Sequence, residues 1–402
     1  MNILFIHQNF PGQFVHLAAD LAKSGEHKVI ALSMYVNPVP EGVTLRPYQA
    51  LRAQSERQHP LLKDPEAKIM RAEACAAAAI QLRNEGFVPD LVIAHPGWGE
   101  ALFIKDVFPK ARLAVYCEFH YAAEGRDVGF DPEEPPLNFP QRCALRVRNM
   151  ANLLSLEAAD LAFAPTEWQR STYPAPFRER IAVIHDGIDL ARLVYRKGAV
   201  LRIAKGDGLG ECVLRPGDEV LTYVARNLEP VRGFHILMRV LPEVLRLRPE
   251  AHVVIVGGDR VSYGRRPEDG GSWKDALLKE VGASLDLARV HFVGNVPESV
   301  YLDLLSISKV HAYWTTPFVL SWSFMEAALA GVPVVASDTP PVREFAQAFG
   351  AQLVDFFDRE GFVREIVKRL AVPCDLRKPR KLSRFSVPHC VAKQKKYLGI
   401  AD

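Results

Sequence analysis

Cysteine is sparse in this 402-residue chain, and no two cysteines form a Cys-x-x-Cys pair. Cys75, Cys117, Cys143, Cys212, Cys374 and Cys390 are scattered, so a zinc site is not expected. Those in apolar runs read as small buried residues. No apolar stretch reaches the roughly 18 to 20 residues that a membrane-spanning helix needs. Met1 runs directly into the apolar segment Asn2–Ile6, so no signal peptide is expected, and a reducing cytoplasm is the simplest location. Excess charge is also lacking: the formal net charge of +3 is too small to point to a nucleic-acid partner. No short-period repeat is present, which excludes a solenoid. What remains is 49% apolar and 24% charged, the composition of a soluble globular protein, with enough length for two domains.

The apolar segments alternate with helical patterns. Asn2–Ile6 leads through His7–Phe14 into a helical stretch around Leu17 and Leu21, and Lys28–Leu32 follows. This β–loop–α–β spacing suits a parallel sheet. A long Ala-rich helix is expected over 67–84, then strands at 90–94, 112–116, 160–164 and 181–184. Residues 124–140, rich in Pro, Gly and acid, read as a functional loop, and 189–218 carry little pattern and read as a link. The alternation restarts at Glu219–Ala225, with further strands at 252–256, 290–293, 310–313 and 332–336. The fold class is therefore α/β, two doubly wound domains over 1–190 and 191–375, followed by a basic segment, 376–402. Ligands are expected at strand C-terminal ends and in the cleft between the domains. The last segment has eight bases between Arg377 and Lys396 and no acid. It reads as the solvated face of a helix packing back on the first domain, or as a contact for an anionic membrane surface or a diphosphate-linked lipid.

The most telling stretch is Pro317–Asp338. It reads as a loop, a helix capped by Ser321 or Ser323 and ended by Gly331, and a buried strand. Glu326 lies among apolar residues inside that helix, where an acid needs a partner: either a ligand's vicinal hydroxyls or a neighbouring backbone group or Arg. The N–H groups of Val319, Leu320 and Ser321 at the helix start suit a phosphate or a sugar hydroxyl. Arg226 follows a strand and Arg232 precedes Gly233 and a helix. The pair reads as a grip on a diphosphate or as two solvated arginines. Gly257 and Gly258 end another strand and would admit a nucleobase or ribose, or form an ordinary turn. Asn295 and Val296, in a third strand-end loop, would meet a base edge or simply connect.

Together these segments resemble the retaining glycosyltransferases of family 4, with the GT-B fold: Arg226 and Arg232 ahead of Gly233, Gly294-Asn-Val-Pro297, and Glu326-Ala-x-x-x-Gly-x-Pro-Val-Val-Ala-Ser-Asp338. The first half is similar to a narrower bacterial group, through His7-Gln-Asn-Phe-Pro-Gly-Gln-Phe14, His95-Pro-Gly-Trp-Gly-Glu100, Glu118-Phe-His-Tyr121, Pro165-Thr-Glu-Trp-Gln169 and His185-Asp-Gly-Ile-Asp189. The resemblance implies a nucleotide-diphosphate sugar donor and a saccharide, lipid-linked or small-molecule hydroxyl acceptor. It assigns Glu326 to the donor ribose and the family's basic pair to Arg226 and Arg232. The first acid of the family's Glu-x7-Glu element falls on Phe318, so one expected contact to the donor sugar is replaced. Gly12 would face the diphosphate. His120 and Glu118 compete for a place beside the transferred sugar or the acceptor hydroxyl, and His95, Gly97 and Trp98 stand on the acceptor side. Transfer is expected with retention, by front-face attack, with no covalent nucleophile. No Asp-x-Asp occurs, so neither a metal nor another cofactor is expected. Two rivals remain: a nucleotide-sugar epimerase or hydrolase of the same fold, and a nucleotide-sugar-binding protein that does not turn over.

Overall fold

A computed structural model describes residues 1–204, 210–373, 380 and 382–400. The chain divides into two compact units, Met1–Gly187 with Ser383–Asp402, and Ile188–Leu382.

In the first unit, β1 (Asn2–Ile6), β2 (Lys28–Ser33), β3 (Thr44–Pro47), β4 (Leu91–Ala94), β5 (Arg112–Tyr116), β6 (Leu161–Ala164) and β7 (Ile181–Val183) form one sheet in the order β3-β2-β1-β4-β5-β6-β7. All its pairings are parallel. Apart from the exposed edge strand β3, the strands are largely apolar because both faces are covered. Leu4 and Ile6 of β1 enter a core with the helix Lys63–Asn84, while Ile3 and Phe5 enter the opposite core with the helix Val15–Lys23. The terminal helix Val387–Leu398 belongs to this second core. Val391, Leu398 and Ile400 are buried there, Tyr397 donates its hydroxyl to the Ala162 carbonyl at 2.8 Å, and Lys395 lies 3.5 Å from Asp20.

The second unit opens with an antiparallel pair, β8 (Leu201–Ala204) and β9 (Glu211–Leu214). A parallel sheet follows, made of β10 (Val220–Asn227), β11 (His252–Gly258), β12 (Val290–Gly294), β13 (Val310–Tyr313), β14 (Val334–Ser337) and β15 (Gln352–Val354), in the order β12-β11-β10-β13-β14-β15. Both parallel sheets reverse direction beside their first strand, the topology that opens a ligand crevice at the strand C-terminal ends.

The expected strands are present, with small shifts in their bounds. The Ala-rich helix begins at Lys63 rather than Ala67. Residues 189–218, read as patternless, hold β8 and β9. Residues 124–140 end at Asn138, whose side chain and that of Gln141 reciprocally cap the helix Phe139–Arg148. Arg226 lies inside β10, not after it. Of the basic run, Arg384, Lys393 and Lys396 are exposed, whereas Arg377, Lys378 and Lys381 lie outside the described residues. Among the described residues, no helix is long and apolar enough to cross a membrane.

Candidate functional site

In the second unit a cavity of about 400 Å³ opens at the C-terminal edge of the sheet, lined by Arg192, Arg226, Asn295, Tyr301, Ser321 and Glu326 among others. The helix Trp322–Leu329 starts here, capped by Ser321, whose side chain accepts the Ser323 N–H. Its short apolar sequence buries it almost entirely and carries Glu326 inward. Glu326 is 6% exposed. It contacts Arg192 Nη2 and accepts the Tyr301 hydroxyl at 2.9 Å. Arg192 also donates to Glu298 at 2.6 Å. Burial pushes the Glu326 carboxyl above the usual carboxylate range, while Arg192 and Tyr301 pull it back. The acid thus has the protein partner it needs and still lines the cavity. Arg192 and Tyr301 had no sequence signal: Arg192 sits in the patternless link and Tyr301 in an ordinary helix.

Arg226 is exposed and lines the same cavity. Arg232 has a different environment. It is buried, and its Nη1 donates at 2.8 Å both to Thr315 Oγ1 and to the Val319 carbonyl. The guanidinium sits 5.7 Å from the Phe318 ring and 5.6 Å from the Tyr263 ring. The paired grip expected of Arg226 and Arg232 is thereby divided: Arg226 faces the cavity, and Arg232 ties down the Phe318–Val319 loop from behind. Phe318 is 2% exposed and packs on Tyr263 with ring centroids 4.9 Å apart, so its ring faces the protein interior. The loop that carries Tyr263 is fixed by Glu229, to which the sequence reading assigned no role. This fully buried carboxylate accepts the N–H groups of Ser262, Tyr263 and Gly264 at 2.9–3.3 Å.

Two backbone expectations need correction. The Ser321 N–H, expected to serve a ligand, donates to the Tyr313 hydroxyl at 2.8 Å. Gly257 has φ +154°, and a Cβ there would stand 2.8 Å from the Ala225 carbonyl oxygen, so this glycine allows neighbouring chain segments to approach one another rather than a ligand. Gly258 is similarly close to Asn227 Oδ1, 2.7 Å from the place of a Cβ. Asn295 and Val296 line the cavity, and Leu320 is half-buried at its loop.

In the first unit, His7, Gln13, His95, Trp98 and Glu118 gather at the C-terminal ends of β1, β4 and β5. The His7 Nδ1 accepts the Asn9 N–H at 3.0 Å, so the neutral ring carries its proton on Nε2, which meets Gln13 Oε1 at 2.9 Å. Gln13 Nε2 then donates to Glu118 Oε1 at 2.7 Å. The His95 Nδ1 likewise accepts the Gly97 N–H, leaving Nε2–H directed to Glu118 Oε2 at 3.3 Å, out of line for a straight hydrogen bond. Burial and the nearby His95 lower the His7 pKa to about 3. Trp98 stacks on the His95 imidazole at 4.2 Å. The Glu118 side chain keeps 30% exposure against 3% for His95, so Glu118 is the member of this pair that a ligand reaches. Gly12, at φ +50°, is held to glycine by His7: a Cβ would lie 2.5 Å from its ring.

His120 stands apart from this cluster. Its ring packs on Tyr173 at 5.8 Å, its backbone N–H donates to Thr172, and burial and Arg126 lower its pKa. A larger hollow of about 600 Å³, lined by Met1, Asn2, Lys28, Thr44 and Asp90 among others, lies at the N-terminal edge of this sheet, where doubly wound folds do not place ligands.

Residues 25–193 match the family described as Glycosyl transferase family 4 group, and residues 212–384 match the family described as Glycosyl transferases group 1. A D-inositol 3-phosphate glycosyltransferase from Segniliparus rotundus is 28% identical over 225 residues. The alignment takes in 54% of this chain and 44% of that relative, so the chain spans less than half the length of the curated relative it matches. Among solved structures, sucrose-phosphate synthase from Thermosynechococcus elongatus superposes with a TM-score of 0.66 at 15% identity, covering 98% of each chain. An α,α-trehalose-phosphate synthase (UDP-forming) from Burkholderia vietnamiensis gives 0.62 at 13% identity, over 99% of this chain and 97% of that one. These likenesses establish the GT-B fold.

Proposed function

We propose that this chain, whose two parts match the Glycosyl transferase family 4 group and Glycosyl transferases group 1 models and which has the GT-B fold, is a glycosyltransferase that moves a sugar from a nucleotide-diphosphate donor to a hydroxyl acceptor with retention at the anomeric carbon. The observation that carries this reading is the second-unit cavity, which joins a buried, partnered carboxylate to an exposed guanidinium. Glu326 accepts both ribose hydroxyls, held in place by Arg192 and Tyr301. Arg226 supplies a two-pronged cation for the diphosphate, and the N-terminal end of the helix Trp322–Leu329 adds its partial positive charge. As the glycosidic bond breaks, negative charge grows on the diphosphate's bridging oxygen, and these groups stabilise it without a metal. Arg232 acts through the loop it anchors.

On the acceptor side, Glu118 orients the incoming hydroxyl, with its own carboxylate positioned by Gln13 and His95. Front-face attack lets the departing phosphate take the acceptor's proton, so no protein nucleophile is needed. His120 has the weaker case because its neighbours are Tyr173 and Arg126. Acceptors in keeping with the site are saccharides, lipid-linked saccharides and small hydroxyl compounds. The exposed Arg384, Lys393 and Lys396 would favour an anionic surface beside a lipid-linked acceptor.

The test is turnover against a panel of nucleotide sugars, with product anomeric configuration read by NMR. Transfer with retention supports the proposal; inversion, or hydrolysis alone at every acceptor tried, overturns it. One observation favours a second reading. Phe318 buries an aromatic ring where a sugar-binding acid is expected, which suits a protein that binds nucleotide sugars without turnover. Tight binding with no reaction across the panel would select that reading.

A further inference from the structure

At the opposite end of the second unit, three side chains that are distant in sequence come together. Cys212 lies on β9, His252 opens β11, and His291 is the second residue of β12. His252 Nδ1 and His291 Nε2 are 3.0 Å apart, Cys212 Sγ is 3.9 Å from His252 Nδ1, and one candidate ligand atom from each lies within 4.8 Å of the others. The two imidazoles are stacked with an interplanar angle of 16°. We propose that Cys212, His252 and His291 bind a zinc-like cation through Sγ, Nδ1 and Nε2, with a fourth position left to water.

The distances suit this chemistry. A tetrahedral zinc site separates two imidazole nitrogens by about 3.4 Å and a thiolate from an imidazole by about 3.6 Å. The two closer spacings, 3.0 and 3.9 Å, lie within about 0.4 Å of these values, and the third pair, within 4.8 Å, closes by side-chain rotation. A thiolate with two imidazoles selects a borderline or soft cation over magnesium or calcium. Both rings are disposed to be neutral: burial lowers the pKa of His252 and that of His291, the latter to about 4. Arg289 also disfavours charge on His252, while Asp218, Asp286 and Glu250 nearby offset it for an incoming cation.

The site would be structural. Ile203 and Cys212 pack on the core that includes Val254 and Val256, so a bound ion would fasten the β8–β9 pair to the parallel sheet. It lies about 13 Å along β11 from the donor cavity, four residues from His252 to the cavity-lining Val256 at the rise of an extended strand, and is independent of the proposed transfer chemistry.

The test is cobalt titration of the metal-stripped full chain, followed by ultraviolet–visible absorption, with zinc competition and thermal melting alongside. Wild type is expected to develop a thiolate-to-cobalt charge-transfer band saturating at one ion per chain, displaced by zinc, and zinc should raise its Tm. Cys212→Ser should lose the charge-transfer band, and both Cys212→Ser and His291→Gln should weaken zinc binding by at least about tenfold. No charge-transfer band and no zinc-dependent rise in Tm in wild type would overturn the proposal, leaving only an imidazole–imidazole hydrogen bond. A band that persists in Cys212→Ser would also overturn it, by placing the ion on another thiol.

Discussion

The two sheets end in clusters of different character. In the first unit the strand ends are occupied by their own side chains: His7, Gln13, His95 and Trp98 bond and stack on one another, and Glu118 is far more exposed than His95. In the second unit the strand ends leave an open cavity, with Arg226 exposed and Glu326 buried against Arg192 and Tyr301. A site that must receive a constant chemical handle, a ribose diphosphate, can keep fixed charged groups facing a space. A site that orients one hydroxyl needs one carboxylate held in place by many neighbours.

The comparison breaks first at Glu326. Replacing it with Ala removes two charge-assisted hydrogen bonds to a ribose, each worth about 1.5 kcal/mol or more, so kcat/KM should fall by about 10²-fold or more. Arg226→Ala should cost roughly 10- to 100-fold by weakening diphosphate stabilisation. Steady-state kinetics check both; retained full activity in either variant would remove that residue from the site.

On the other side, Glu118→Gln should lower turnover by roughly tenfold or more while leaving nucleotide affinity, measured by calorimetry, unchanged. His120→Ala should have the smaller effect. The reverse ranking would move the acceptor site toward Tyr173 and Arg126.

Phe318→Ala should destabilise the second unit by about 3 kcal/mol, since it empties a buried aromatic site beside Tyr263 and Arg232. If nucleotide affinity falls as well, the ring or its loop contributes to the donor site more directly than its burial indicates.

A further prediction concerns pH. His7 is buried neutral with its pKa lowered to about 3, against an ordinary value of 6.5. Between these values the unfolded chain binds the proton and the folded chain does not. The contribution is therefore complete above pH 6.5 and is lost as pH falls toward about 3, with a slope of at most about 1.4 kcal/mol per pH unit. His185 and His291, each near 4, act in the same sense, so His7→Gln should flatten the acid side of a Tm-versus-pH curve only in part. An unchanged curve would mean that His7 is not buried neutral.

Much of the fold was legible because fully buried parallel strands advertise themselves as short apolar runs. β3 and β15 escaped notice because they are short edge strands, and β3 is largely exposed. The β8–β9 pair was missed because its sequence is mixed. Within the site, Glu326 and Arg226 could be identified because an acid in an apolar helix and a base at a strand end are locally anomalous. Arg192, Tyr301 and Glu229 are ordinary residues in their local context and acquire meaning only through tertiary contacts. The same holds for Cys212, His252 and His291, whose separations of about forty residues match no local motif. Arg232 misled because the sequence gives its charge but not its direction, and in the structure that charge is already committed to Thr315 and Val319.

The central claim is that Glu326 reads the ribose of a nucleoside diphosphate. It is tested most directly by calorimetry with the nucleoside diphosphate that wild type prefers and with its 2′,3′-dideoxy analogue, each against wild type and Glu326→Ala. The account predicts that wild type binds the dideoxy analogue about 10²-fold more weakly, at roughly 1.5 kcal/mol per lost hydrogen bond, and that Glu326→Ala binds both ligands equally. The same discrimination in both proteins would place the ribose elsewhere and contradict the account.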